Sequence, residues 1–295
     1  MRTLGSDAKG IAMKRLILVL ALAGVTAPLL GQQPQQPQQP QGPAALGAGV
    51  RRPPPPTGPS PRLPDGTIDL RGLWVGGGPS GERANLEVQG GLKSGDISPL
   101  PWVKDYLAKV DLQKDPYIWC MPMGVVRKSP LPWRFVAEPA VGKAAKILYL
   151  IEEGGTHSYR QIFVDGRKHP DDPSPTWMGD SIGWWEGDTL VVETVGFNGR
   201  TWMDRRALPL TEKGKVTERY TRLNMGTLER VVTVDDPDAY ARPFTARFTA
   251  RLSNPEDDIL EFICNENNQA GLGAGTEPPR EFPVVAPPPG AATRP

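Results

Sequence analysis

The chain carries 295 residues, 38% of them hydrophobic, with 34 Lys and Arg against 33 Asp and Glu for a formal net charge of +1. With no basic run longer than Arg51-Arg52, this balance leaves no electrostatic footprint for nucleic acid or for an anionic membrane surface. Once the unusual ends are set aside, the length suits one domain of about 200 residues.

Taken in chain order, Met1 to Gly31 reads as an export signal. Met13-Lys14-Arg15 forms a charged leader, and Leu16 to Val25 is an apolar run too short to span a bilayer. No cysteine follows that run, so a lipid anchor is not indicated, and Pro28 moves the expected cleavage from Ala27 to Gly31. An uncleaved N-terminal anchor is the alternative. Residues 32–64, which include QQPQQPQQPQGP and RRPPPPTGPSP, hold almost no apolar side chains and are expected to form a disordered or polyproline-like tether. The folded domain is expected over 65–269, with a disordered Pro/Gly-rich tail over 270–295.

Within the domain, Leu73 to Val75 reads as the first short strand. The one helix signal covers Pro101 to Leu112, where Pro101 suits a first helical position and Trp102, Tyr106 and Val110 recur at a spacing of four. Further strands are expected at 134–138, 146–152, 159–164, 189–197, 216–223, 227–234, 244–252 and 259–265, mostly separated by Gly, Pro, Asp or Asn. The clearest is the run in which Phe244, Ala246, Phe248, Ala250 and Leu252 alternate with Thr and Arg. Asn224-Met225-Gly226 reads as a hairpin turn.

About eight to ten strands, joined by connections too short for crossover helices, imply antiparallel neighbours. The expected fold is mainly β: an antiparallel up-and-down barrel of lipocalin or calycin type with one short helix. Closure favours it over a two-sheet sandwich, because a barrel has no exposed edges and leaves room for one small ligand. Two cysteines in an exported chain, Cys120 and Cys264, are expected to pair, two buried free thiols being the alternative. The absence of CxxC spacing, and of a histidine or lysine beside either residue, speaks against a redox site.

The stretch Asp165 to Asp204 is richest in groups able to do chemistry, holding Trp177, Trp184, Trp185 and Trp202 among glycines that permit close backbone approach. Trp177, Trp184 and Trp202 are the expected ligand-stacking groups, with Arg160 and Asn198 orienting the ligand. Glu186, Asp188 and Asp204 are the candidate acid and base groups of a carbohydrate-directed enzyme. Glu186-Gly187-Asp188 is equally a tight turn whose acids are solvated or pair with Arg160 or Arg167. Glu193 shares a strand face with Val191 and Val195, so it either pairs with an arginine or rises in pKa inside a cavity. His157 and His169 are the only histidines, too few for a typical catalytic zinc site, and the HPDDP run at His169 reads better as a polar turn. Neither a metal nor a cofactor is expected. No GxSxG elbow is present, which disfavours acyl transfer.

The run DGRKHPDDPSPTWMGDSIGWWEGDTLVVETVGFNGRTWMD, together with PDGTIDLRGLWV, CMPMGVVRKSP, ERYTRL and EFICNENN, is similar to a large, mostly uncharacterised family of exported bacterial β-rich proteins. The resemblance covers about Pro64 to Asn268. Members commonly carry histidines after the TWMD element, in a pattern like GHPHSEALHVVER. This chain reads ALPLTEKGKVTER, with Leu208, Leu210 and Lys215 at the matching places, so a histidine-dependent chemistry is not expected here.

The reading that results is a periplasmic or secreted small-molecule binding protein with an aromatic-lined barrel pocket and no membrane span in the mature chain. The alternatives are a cofactor-free, carboxylate-dependent hydrolase or lyase and, more weakly, a structural envelope protein.

Overall fold

The structure, a computed structural model, describes residues 54–81, 83–154, 159–264 and 281–294. The expected export signal, the tether as far as residue 53, His157 and the tail segment 265–280 lie outside the described residues. No helix among the described residues is long and apolar enough to cross a membrane.

Among the described residues eleven strands are formed: β1 (Trp74–Gly76), β2 (Trp133–Glu138), β3 (Ile147–Glu152), β4 (Tyr159–Phe163), β5 (Asp180–Glu186), β6 (Thr189–Val195), β7 (Thr201–Trp202), β8 (Pro209–Leu210), β9 (Lys215–Asn224), β10 (Thr227–Asp235) and β11 (Phe244–Leu252). Nine close into a barrel in the order β1-β11-β10-β9-β6-β5-β4-β3-β2, while β7 and β8 form a separate pair inserted between β6 and β9. A ring with an odd number of strands cannot alternate direction at every joint. The parallel joint falls between β4 and β5, through Phe163 and Ile182, and every other neighbour is antiparallel. Parallel neighbours need a crossover, and residues 164–179, the first half of the Trp-rich stretch, supply it without a helix.

Among the described residues two α-helices flank the barrel, α1 (Leu86–Gln89) and α2 (Pro101–Leu107). The second starts at the expected proline but ends at Leu107 rather than 112. Asp111 then caps a 3₁₀ turn at Leu112–Lys114, its side chain accepting from the Gln113 N–H at 3.0 Å.

Strand β5 is absent from the periodicity because its inward positions are Ser181 and Gly183, which give no apolar alternation. A side chain at Gly183 would start 3.0 Å from Ile162 Cγ2 and 3.1 Å from the Val191 carbonyl, so anything larger than glycine would crowd the neighbouring strands there. The strand expected at 259–265 is not formed over its described residues, 259–264. Residues 259–263 run irregularly, and Leu260 N–H donates to the Glu153 carboxylate at 3.2 Å instead of joining a ladder. The last residues read as tether lie along the β9–β10 hairpin: Met225 N–H donates to Gly58 O at 3.0 Å and Ser60 Oγ to Arg222 O at 2.7 Å. At the other end of the chain, Phe282 and Val285 are buried and Val285 N–H donates to Gly199 O at 2.7 Å.

The lumen is filled. Around one mouth Trp74, Trp133, Phe135 and Tyr220 pack together, with Trp133–Phe135 and Phe135–Tyr220 edge-to-face at 5.5 and 5.2 Å. Both buried indoles are satisfied, Trp74 by Leu70 O and Trp133 by Gly76 O. A second apolar cluster, including Trp102, Val103, Phe197, Leu210 and Tyr240, closes the other mouth. Within these clusters Leu190, Val192, Leu228 and Val232 expose no surface at all, whereas walls of a cavity roomy enough for water would. A crevice of about 30 Å³ beside Ile68, Phe135 and Trp185 is left at the first mouth. At the mouth where an internal ligand chamber was expected, four aromatic rings pack with Ile68 and Leu70.

Candidate functional site

The inward faces of β9 and β10 run Val216, Glu218, Tyr220, Arg222 and Leu228, Arg230, Val232, Val234. Strand alternation thus puts a carboxylate and a guanidinium into the barrel between the two apolar clusters. Arg230 Nη2 lies 2.8 Å from Glu218 Oε1, and Arg160 of β4 pairs with the other carboxylate oxygen, Oε2. Arg160 also donates to Ser181 Oγ at 3.0 Å and Thr194 Oγ1 at 2.5 Å. Burial alone would push the Glu218 carboxyl up. Arg160, Arg230 and Lys128 outweigh that and hold it at about 2. Tyr220 OH donates to Glu218 at 2.6 Å, and its own pKa is driven up by burial and by that carboxylate.

Arg230 reaches beyond the lumen. It donates to Gly77 O at 2.6 Å, to Val126 O at 3.1 Å and to Val125 O, fixing the backbone just before Arg127 and Lys128. Lys128, also buried, pairs with Glu152 and lies 5.2 Å from the Trp133 ring centroid. Burial lowers its pKa, and nearby Arg230 adds to that effect while Glu152 opposes it. Arg127 turns the other way, to Asp115 at 2.9 Å, with its guanidinium 4.8 Å from the Tyr117 ring centroid. Asp115 Oδ2 takes a second guanidinium, Arg205, at 2.8 Å, while its Oδ1 accepts the Tyr117 N–H that opens the 3₁₀ turn Pro116–Trp119.

That turn ends at Cys120, which adopts the left-handed conformation and forms a disulfide with Cys264. The bridge pins the irregular 259–264 segment beside the loop 121–130. Between them opens a cleft of about 360 Å³, within the range of small-ligand sites. Tyr117, Ile118, Met123, Pro130 and Phe262 supply apolar wall, and Arg127, Lys128 and Arg205 the charged wall. On the far side of Phe262, a groove of about 390 Å³ runs over the outer faces of β3 and β4, lined by Tyr149, Ile151, Tyr159 and Leu260.

The residues expected to form the ligand site are distributed differently. Arg160 is inside the barrel, committed to Glu218. Trp184 is on the outer face, 40% exposed, its indole donating to Glu186 at 2.9 Å. Its neighbour Trp185 is the one that reaches the lumen mouth, since successive residues of a strand face opposite ways. Trp177, Asn198 and Trp202 come from segments bonded to one another, Asn198 N–H donating to Thr176 O and Thr201 Oγ1 to Trp177 O. There they act structurally: Trp177 stacks edge-on with Phe282 at 6.1 Å, Asn198 caps its own turn at Arg200, and Trp202 is buried beside Tyr106. None of the five lines the cleft.

The three candidate catalytic acids do not converge either. Glu186 and Asp188 flank the β5–β6 turn, where Gly187 has φ of +59°. Glu186 is held below its usual pKa by Trp184 and Arg219, and Asp188 by Arg62. Asp204 is buried elsewhere, accepting from the Leu86 N–H at 2.9 Å, the Arg206 N–H at 2.9 Å and Arg206 Nε at 3.1 Å. The expected pairing of turn acids with Arg160 or Arg167 is corrected to Arg219 and Arg62, because Arg160 points inward and Arg167 is engaged by Asp165. Glu193 faces outward, 3.6 Å from both Lys215 and His169, and His169 Nδ1 sits 2.6 Å from Asp180. No cluster of three or more metal-ligating side chains occurs among the described residues.

Sequence reasoning passed over Asp115, Arg127, Lys128, Arg205, Glu218 and Arg230. Two of them carried a usable signal: in VTERYTRL and TLERVVTV, period-two alternation puts Glu218 on the Val216–Tyr220 face and Arg230 on the Leu228–Val232 face.

Fold and site together define a closed β-barrel with a packed lumen and an external cleft walled by cations. Comparison of the chain with protein-family models, curated proteins and solved structures returns no match. Leu208 and Leu210 are buried in the apolar cluster with Trp102 and Tyr240.

Proposed function

We propose that the protein is an exported small-molecule binding protein whose ligand occupies the external cleft rather than the lumen. The supporting observation is the cleft itself: a concave site of about 360 Å³ with an apolar wall, a few polar groups on the other side and a disulfide-fixed rim. The Cys120–Cys264 bridge and the charged, then apolar, leader support a place outside the cytoplasm, in the periplasm or medium. Binding is favoured over hydrolysis because Asp204 lies apart from Glu186 and Asp188, and those two are held ionised in exposed ion pairs, which suits a general acid poorly.

The test is a thermal-shift screen of small apolar and amphipathic molecules on the intact, disulfide-bonded protein, repeated on Phe262→Ala and Trp184→Phe. Hits should lose their shift in Phe262→Ala and keep it in Trp184→Phe. Hits insensitive to Phe262→Ala, or no saturable hit at all, would overturn the assignment.

A further inference from the structure

We infer that the cleft selects a small amphipathic anion, its acidic head held by Arg205 and Arg127 and its apolar body against Tyr117, Met123 and Phe262. This rests on the cleft being the binding site and adds the chemistry of what enters it.

The argument begins with Asp115. Its Oδ2 atom faces two guanidiniums, Arg127 at 2.9 Å and Arg205 at 2.8 Å, so among the described residues one positive charge at the cleft wall has no carboxylate of its own. Arg127 is almost wholly buried, while the Arg205 side chain keeps 27% of its surface open. Guanidinium carries five donors and one fork cannot be exhausted by a shared oxygen, so Arg205 has directions left for a ligand. The same imbalance recurs one layer deeper, where Glu218 alone serves Arg160 and Arg230. Lys128, between these layers, has Glu152 as its partner. Among the described residues, five cations along this connected set face three carboxylates, Asp115, Glu152 and Glu218. Glu153, also buried, turns to the neighbouring groove and accepts from Leu260 N–H, and Asp204 is engaged by Leu86 N–H and Arg206.

Excess positive charge near a low-dielectric wall is costly unless an anion completes it. A carboxylate, sulfonate or phosphate head would do so through charge-assisted hydrogen bonds. The rest of the wall is unsuited to a bare inorganic anion: Tyr117, Ile118, Met123, Pro130 and Phe262 offer apolar surface that such an ion cannot use. Both halves of the cleft are used together only by a molecule with an acidic head on a hydrocarbon or aromatic body. Arg230 acts as a positioning residue, because its bonds to Val125 O and Val126 O set the loop from which Arg127 and Lys128 project.

The experiment titrates the intact protein with anilinonaphthalene sulfonate, an anionic amphiphile, and with the uncharged N-phenylnaphthylamine of similar ring system. The anionic probe should bind at one saturable site and lose at least about tenfold in affinity in Arg205→Gln, roughly the worth of one charge-assisted contact. Arg205→Lys should recover part of it, and the neutral probe should be at least about tenfold weaker and indifferent to Arg205. Competition by octanoate and by octyl phosphate then tells a carboxylate head from a phosphate head. Equal binding of both probes with no effect of Arg205→Gln would overturn the anion preference while leaving a cleft binder. No saturable site for either probe, or binding untouched by Phe262→Ala, would overturn the cleft assignment as well.

Discussion

Glu218 on β9 and Arg230 on β10 meet inside the barrel at 2.8 Å with neither side chain exposed, and this contact links the packed lumen to the surface loop that walls the cleft. A buried pair of this kind contributes little net stability against an apolar substitute, yet breaking it leaves a charge stranded in a low-dielectric interior. Here the stranding would be double, since Glu218 also serves Arg160. Glu218→Gln should therefore lower the free energy of unfolding by about 3 to 5 kcal/mol in urea titrations. A loss below about 1 kcal/mol would show the layer to be hydrated and tolerant.

The same carboxylate sets an acid limit. Its folded pKa, about 2, lies below the ordinary 4.5, so its contribution is present in full above about pH 4.5 and fades as pH falls toward 2. The shift corresponds to roughly 3 kcal/mol at neutral pH. Unfolding free energy measured against pH should decline over that window in the native protein, and the decline should be shallower by about that amount in Glu218→Gln.

Removing the disulfide should do two things at once. Cys120 and Cys264 are 144 residues apart, and the loop-entropy model gives about 5 kcal/mol for a closure of that length. Cys120→Ser, or reduction, should lower the melting temperature and also free the segment bearing Phe262. Binding of a cleft ligand should weaken even at temperatures where circular dichroism still reports an intact barrel. Unchanged affinity after reduction would place the ligand elsewhere.

The tryptophans should separate sharply. Trp133 is buried among Phe135 and Tyr220, so Trp133→Ala should cost about 3 to 5 kcal/mol. Trp184 lies on the outer surface and Trp184→Phe should stay within about 0.5 kcal/mol. Chemical denaturation of the two variants side by side decides it.

Among the acids, Asp204→Asn should destabilise by about 1 to 3 kcal/mol, because a buried carboxylate that accepts from Leu86 N–H and Arg206 N–H loses its charge. Glu186→Gln and Asp188→Asn, both in exposed ion pairs, should melt close to the parent protein and bind a cleft ligand unchanged. A large loss of binding in either would restore the β5–β6 turn as a functional element.

What could be read from the residues alone was local. Alternation marked β11 at its observed bounds, because apolar and polar positions differ at every step across Phe244–Leu252. It marked β9 and β10 to within a residue or so, and two cysteines in an export-type chain were enough to expect their bridge. Strand β5 was not legible, since Ser181 and Gly183 occupy its inward positions, and neither were the partners of the turn acids, since Arg62 and Arg219 lie 126 and 33 positions from them. The tryptophan pair shows the limit most plainly: composition marks the dipeptide as important, but only the register of β5 against β6 sends Trp185 to the barrel mouth and Trp184 to solvent. The cleft belongs wholly to tertiary structure. Gly81, Tyr117, Arg205 and Phe262 come from four separate parts of the chain, and nothing short of ring closure and the Cys120–Cys264 bridge puts them around one cavity. Periodicity reports which face of a strand is buried; it has no term for which distant charges share the resulting interior.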